Sequence, residues 1–343
     1  MPSVAPAGDA TELSRFRRLV TATIVATVVL ILIGGIVRVS DSGLGCGPEG
    51  SGTHGWPLCE GGVVPAADAE SMIEFSHRIA AGVVAVMIAL LAWRALRNLR
   101  DYRLIVRATV AAGVLILLQA GLGGLTVEEG LEDELVAAHL GLAMLLLGLL
   151  LLMRRAAQAD AEAPAPVAAR GLRPLTGLAA VLLLATIVAG GYVAGTEGHG
   201  TPNQPLVGAH EACGTGWNTA QFPGCNGSGP LSFGQSRLAD IQLTHRLFMY
   251  LAALAVLAMA AVALVRRVPR RAFGLAVVLL AAQIALGIVN VYAGKHAGLI
   301  VAHLMLGTAL WSTVVYAGAT LLPAASATTE RLTRGEAARA ATA

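Results

Sequence analysis

Eight stretches of about twenty mostly apolar residues run through this chain, and they fix its fold class before any motif is considered. They cover residues 19–39, 73–95, 104–125, 135–153, 172–194, 241–265, 272–292 and 299–321. Each is a run of Leu, Ala, Val and Gly without the alternation of a barrel strand. In hydrocarbon a helix satisfies its own backbone, so helices are the expected elements. Composition agrees: 56% of residues are hydrophobic and 13% charged, against about 25% charged in a soluble domain. A soluble enzyme, a nucleic-acid-binding protein and a disordered scaffold are thereby excluded. The expectation is an all-α integral membrane protein with eight transmembrane helices and no nucleic-acid partner.

Arginine sets the expected orientation. Arg15, Arg17 and Arg18 precede the first stretch, and Arg94, Arg97, Arg100, Arg103 and Arg107 surround the connection after the second. Arg154, Arg155, Arg170 and Arg173 follow the fourth, Arg266, Arg267, Arg270 and Arg271 the sixth, and Arg331, Arg334 and Arg339 the last. An eight-helix topology puts 19 of the 24 basic residues on one side; seven or nine helices would scatter them. Both termini are therefore expected in the cytoplasm and the remaining long loops outside. The first stretch reads as a retained helix and not a cleaved signal, because Arg38 and Asp41 follow it without a small-residue cleavage site. Residues 1–14 and 324–343 read as mobile tails.

The chain repeats. Ser76-His77-Arg78 opens the second helix and Thr244-His245-Arg246 the sixth. Gln119-Ala-Gly-Leu-Gly is matched by Gln283-Ile-Ala-Leu-Gly, and His139-Leu-Gly-Leu by His303-Leu-Met-Leu. Four helices per half, each half starting inside, imply parallel repeats about an axis along the membrane normal. The expected organisation is two pseudo-symmetric four-helix bundles. Residues 1–155 form the first, 156–170 (AAQADAEAPAPVAAR) a cytoplasmic linker, and 171–343 the second bundle with its tail. Cofactor sites in such bundles form between facing helices.

Four of the eight histidines, His77, His139, His245 and His303, fall near the outer ends of even-numbered helices. Ionisable residues inside membrane helices are rare and point to function. One such histidine is as well explained by a carbonyl on a neighbouring helix, but four at repeat-related positions are not. Two neutral imidazoles facing each other across a bundle suit the two axial positions of haem iron, which pairs His77 with His139 and His245 with His303. A zinc or copper site would call for more ligands at that depth, where only Glu74 is found. Gly82, Gly121, Gly123, Gly124, Gly141, Gly287 and Gly307 leave room for a flat macrocycle, or equally for close helix packing. Arg78 and Arg246 suit the haem propionates, or interfacial snorkelling.

The halves differ at one informative position. Glu74 stands three residues before His77, on roughly the same helix side, and its counterpart before His245 is Gln242. A carboxylate can move protons or balance positive charge on a reacting carbon; an amide cannot exchange protons in this way. A plain helix-end charge is the competing reading. Cys46 and Cys59 share the first long outer loop, and Cys213 and Cys225 the third. In an oxidising compartment two disulfides are expected, closing lids over the bundle ends; a metal or redox site of Cys46 and Cys59 with His54 is the alternative.

These features together resemble haem A synthase. The resemblance rests on GGIVRVSDSGLGC at the end of the first helix, WPLC before the second, and Glu74-Phe-Ser-His77-Arg78 within it. His139, His245 and His303 complete it, over roughly residues 16–322. The resemblance implies oxidation of a ring methyl of haem O to a formyl group, giving haem A for terminal oxidase assembly. It implies a low-spin haem b at His245 and His303 with Arg246. Haem O as substrate would bind at His77 and His139 with Arg78, and Glu74 would be the catalytic carboxylate. It further implies a bacterial cell membrane, haem O synthase as substrate donor and an electron acceptor that the sequence does not identify. A homo-oligomer is left open. The first cysteine pair is spaced more widely here than in many bacterial members, with GPEGSGTH before WPLC, and other members lack these cysteines. That favours a lid-fastening role over direct participation in catalysis. Two further functions compete: a b-type electron-transfer cytochrome with two bis-histidine haems, and a haem carrier without catalysis.

Overall fold

The computed structural model describes residues 7–65, 67–158, 171–196, 208–268, 271–294 and 296–322. Among them are eight long helices: α1 (Ala7–Val39), α2 (Ala69–Asn98), α3 (Arg103–Glu128), α4 (Asp133–Ala156), α5 (Leu172–Gly195), α6 (Arg237–Val265), α7 (Arg271–Ala293) and α8 (Ala297–Thr320). All eight are long and apolar enough to cross a membrane. No strand occurs among the described residues; the two loop bridges, Cys59 with Gly62 and Cys225 with Ser228, are isolated.

Seven helices contain the expected apolar stretches, the last ends one residue short at Thr320, and most begin earlier than expected, because helix formation continues into the polar boundary where caps take over. Asp68 caps α2 by accepting the Ser71 N–H, and Ser236 caps α6 by accepting that of Ala239. The bond from Ser71 holds the exposed Asp68 carboxyl below its usual value. The largest extension corrects the reading of residues 1–14 as a tail: α1 begins at Ala7, and Leu13, Phe16 and Val20 are buried with Leu91, Ala95 and Ile105. With 33 residues, α1 is about 50 Å long at the standard rise, well over the roughly 30 Å of hydrocarbon. The surplus is packed at the arginine-rich end, where Asn98 on α2 donates to Glu12. Residues 159–170, most of the expected linker, and 323–343 lie outside the described residues.

Helices α1 to α4 pack in a ring, α1 on α2, α2 on α3, α3 on α4 and α4 back on α1. Helices α5 to α8 do the same, and α4 meets α5 and α8 while α1 meets α8. Between the rings, close approach depends on small residues, as expected where no water drives association. A Cβ built on Gly148 of α4 would stand 2.5 Å from the Trp311 ring of α8. The Trp311 indole N–H is satisfied by the Ala180 carbonyl of α5 at 3.0 Å.

Arginine ties the helix ends. Arg38 at the end of α1 donates to the Ala194 carbonyl of α5 at 2.7 and 2.9 Å. Arg155, counted above among the cytoplasmic arginines, is 4% exposed and donates to the Ala319 and Leu322 carbonyls at the end of α8. These are last-turn carbonyls, which lack the regular intrahelical partner; those of Ala194 and Ala319 also accept a cap N–H. Inside the bundles, Thr27, Thr109, Thr176, Thr186 and Thr308 each return a hydroxyl to the carbonyl four residues back, which pairs them without a neighbour's help. Leu117, Leu254, Val278 and Val181 are more than half exposed, a surface suited to lipid.

Candidate functional site

The ring order places α2 diagonally opposite α4, and α6 opposite α8. His77 and His139 thus lie on opposed helices of the first ring, and His245 and His303 on opposed helices of the second. Each imidazole packs against a glycine on an adjacent helix. A Cβ on Gly34 of α1 would stand 3.1 Å from His77 Cε1, and one on Gly123 of α3 would stand 3.1 Å from His139 Cε1. In the second ring the corresponding glycines are Gly190 of α5 for His245 and Gly287 of α7 for His303, both at 3.0 Å. Any larger residue would push the ring aside.

Of the glycines singled out in the sequence, Gly123 and Gly287 have this role. Gly141 faces Val188 across the inter-ring contact, Gly124 lies under Trp56, Gly307 faces Gln283, and a Cβ on Gly82 or Gly121 would meet nothing within 4 Å. Gly34 and Gly190 were not singled out. Their signal is the doublet, Gly34-Gly35 and Gly190-Gly191: one member seats the histidine, and the other faces the opposite ring, Gly35 against Leu304 and Gly191 against Ala137.

The four rings differ in their hydrogen bonding, and His245 has the arrangement typical of a metal ligand. His245 donates from Nδ1 to the Thr186 carbonyl at 2.9 Å, fixing the tautomer that leaves Nε2 for a metal. His77, His139 and His303 hold a buried Nδ1 with no partner. His303 Nε2 accepts from the Gln283 amide at 3.1 Å, whereas the equivalent Gln119 amide donates to the His139 carbonyl at 3.0 Å. Buried polar atoms are rarely left unpaired, so this concentration of them in two bundle interiors is the mark of ligand sites. Pairs of imidazoles on diagonally opposed helices of a ring suit haem iron.

The cysteines are bonded as expected, Cys46 to Cys59 and Cys213 to Cys225. With their sulfurs bonded to each other, Cys46 and Cys59 offer no thiolates for a metal site with His54. The two loops share a construction. The Glu60 N–H donates to the Cys46 carbonyl in the first, and the Asn226 N–H to the Cys213 carbonyl in the second. Each is pinned from below by the arginine after the histidine. Arg78 donates from Nη1 to the Leu58 carbonyl at 2.7 Å, and Arg246 from Nη1 to the Gly224 carbonyl at 2.7 Å and the Gln221 carbonyl at 2.8 Å. Leu58 and Gly224 each precede the second cysteine of their loop. The first loop also reaches α3, with Trp56 over Gly124 and the Gly50 N–H on the Glu128 carbonyl. The second is bonded to the end of α5 through Ala209 and Thr196, and to α7 through Gly216 and Tyr292. Both loops are therefore lids across the ring ends.

Beyond that shared frame the halves differ. Glu74 is 4% exposed, accepts the Cys46 N–H at 2.7 Å and is ion-paired with Arg78. Ser71, one turn earlier, donates its hydroxyl to the Gly45 carbonyl at 2.6 Å. At the matching positions of the second half, the Gln242 carbonyl oxygen has no partner, and neither do Nε and Nη2 of Arg246, which is 3% exposed. The Tyr250 hydroxyl, one turn further along α6, is buried and unpartnered, as is Nε2 of His210 in the lid. His210 lies within electrostatic reach of both His245 and His303. These donors were not singled out in the sequence, where Tyr250 reads as another interior residue of an apolar helix and His210 as a loop residue.

The chain is 32% identical over 211 residues to a protein of Alkalihalophilus pseudofirmus named heme A synthase, covering 60% of this chain and 62% of that protein. It is 30% identical over 213 residues to a heme A synthase of Halalkalibacterium halodurans, covering 60% and 63%. To a heme A synthase of Shouchella clausii it is 30% identical over 238 residues, covering 67% and 70%. The first two matches thus span less than two thirds of those relatives. Residues 17–315 match the family COX15-CtaA, described as cytochrome oxidase assembly protein. With that match running through all eight helices, both lids and all four histidines, the chain belongs to the COX15-CtaA family.

Proposed function

We propose that this protein is a membrane oxidoreductase that converts haem O to haem A by oxidising a ring methyl to a formyl group. The observation that carries the reading is the combination of two facing histidine pairs in two helix rings with a buried carboxylate beside only one pair. In this reading residues 1–155 are the substrate half, joined through 156–170 to a cofactor half from 171 onward. The two halves are related by an axis along the membrane normal. His77 and His139 hold haem O by its iron, and His245 and His303 hold a permanent haem b. Haem b supplies one-electron transfer when bound. The positive-inside rule supports cytoplasmic termini and lids on the outside.

The residues of the chain do the remaining work. Gly34 and Gly123 let the His77 and His139 rings stand close to their neighbouring helices, where they would hold the iron of the substrate. The lid held by Glu74, Arg78 and Ser71 excludes water from the outer end of the first ring. Glu74, one turn from His77, offers an anionic oxygen in a low-dielectric site, where it balances positive charge developing on the reacting carbon or accepts its proton. Arg246 presents two free donors suited to a haem propionate. With water as the oxygen source, two hydroxylations would release four electrons and four protons from the methyl carbon, the resulting geminal diol would lose one water to leave the formyl group, and the four electrons would pass to an external one- or two-electron acceptor. Haem O synthase is the proposed donor of the insoluble substrate, and terminal oxidase assembly its consumer.

Extraction and chromatography of the bound haems, from cells with and without haem O synthase, test the reading. Haem A or a hydroxylated haem O only when the synthase is present is the expected result. Haem B alone under both conditions would replace the enzyme by an electron-transfer cytochrome.

A further inference from the structure

The two arginines that pin the lids are used differently on their second edge. Arg78 and Arg246 each spend Nη1 on the lid carbonyls. The Nε–Nη2 edge is the side-on fork with which guanidinium binds a carboxylate in bidentate fashion. In Arg246 both atoms of that edge are buried and unpartnered, with the unpartnered Tyr250 hydroxyl one turn away. In Arg78, Nη2 is taken by the Glu74 carboxylate. The first half also lacks a second donor, since the position matching Tyr250 is Gly82. A buried guanidinium without an anion is unfavourable, and one already paired gains little from a second anion. The second ring therefore contains a cation that has lid carbonyls and the Phe222 ring at 5.4 Å beside it but no carboxylate on its Nε–Nη2 edge, and the first contains a cation already paired with one of the chain's own carboxylates.

We propose that Glu74 stands in for a porphyrin carboxylate, occupying the arginine that would otherwise grip the ligand, and so makes the first haem site an exchanging one while the second retains its haem. This rests on the assignment of haem sites to the two histidine pairs, and it adds what that assignment lacks, a reason for one site to turn over and the other to hold. The ligand class is the same on both sides, an iron porphyrin bearing carboxylates. The difference lies in whether its negative charge is needed. Glu74 and Gln242 are thus positioning residues for retention, acting through Arg78 and Arg246, whatever further part Glu74 has in the chemistry.

The test uses the purified full chain in detergent with haem B as probe, in the absence of haem O and of any electron acceptor. Haem loss to apomyoglobin is followed separately for each site, in H245A/H303A protein for the first and H77A/H139A protein for the second. Glu74→Gln retains an acceptor for the Cys46 N–H and removes only the charge. It is expected to slow haem loss from the first site by about tenfold or more, the scale of one charge-assisted contact. Gln242→Glu is expected to accelerate loss from the second by a similar factor. Mapping of the Cys46–Cys59 bond in Glu74→Gln checks that the lid is intact. Unchanged or faster loss from the first site with the lid intact would overturn the proposal while leaving the haem sites in place. Absence of haem from both sites in every protein would overturn the haem assignment and this proposal together. If Glu74→Gln disrupts the lid, the Gln242→Glu arm decides: unchanged retention there overturns the proposal.

Discussion

The Glu74 carboxylate accepts the backbone N–H of Cys46 at 2.7 Å, so the helix that carries His77 and the disulfide lid above it are joined through one buried side chain. Glu74 is thus a fastener of the lid and also the carboxylate nearest in sequence to a proposed haem ligand. The two roles separate experimentally, because glutamine preserves the acceptor and not the charge.

Glu74→Gln should therefore fold, keep both disulfides and keep the haem at His245 and His303. It should form little haem A while haem O or a hydroxylated intermediate accumulates in the first site. Haem extraction and chromatography measure this. Near-normal haem A would reduce Glu74 to a lid fastener.

His245→Ala and His303→Ala should each abolish or alter the low-spin haem spectrum of the purified protein, and His77→Ala and His139→Ala should leave that component in place. His245 is the more sensitive of the first two, since its ring is already oriented by the Thr186 carbonyl and ligand orientation of this kind is costly to lose. Optical spectra of the four variants decide the assignment; a spectrum unchanged in both His245→Ala and His303→Ala refutes it.

Gly190→Val should displace the His245 ring, because even a Cβ there would stand 3.0 Å from Cε1. Overpacking of this kind costs about 1–3 kcal/mol, and the expected readout is loss or broadening of the low-spin spectrum with a lowered thermal midpoint. Gly274→Ala, where a Cβ meets nothing within 4 Å, is the control and should leave the spectrum unchanged.

Reduction of the disulfides should loosen the lids without unfolding the helices. Each bond closes a loop, with sequence separations of 13 and 12 residues, worth roughly 3 kcal/mol in the chain-entropy view. Cysteine-to-serine pairs should lower haem retention and the thermal midpoint, while circular dichroism stays helical. Peptide mapping without reduction should find Cys46 with Cys59 and Cys213 with Cys225; bonds between the loops would contradict the structure.

The amino-acid sequence by itself determined the fold class. Long apolar runs leave a chain no stable alternative to membrane-crossing helices, and the repeat of histidines marked all four candidate ligands by number. It also determined the disulfide partners, since each pair shares one loop. What it did not determine is which atoms are left over once the chain is folded. Arg78 and Arg246 look equivalent in sequence, yet one is neutralised by Glu74 and the other has a free edge. Whether a donor is satisfied depends on contacts across loops and helices that no local pattern encodes. Likewise Gly34 and Gly190 look like ordinary packing glycines until the helices come together. Only then does a histidine on the neighbouring helix fill the space where a side chain would have been. Apolar periodicity is a property of each helix alone, and it fixes which segments cross the membrane. Ring order, lid attachment and the balance of buried charge are properties of pairs of segments, and only the tertiary structure decides them.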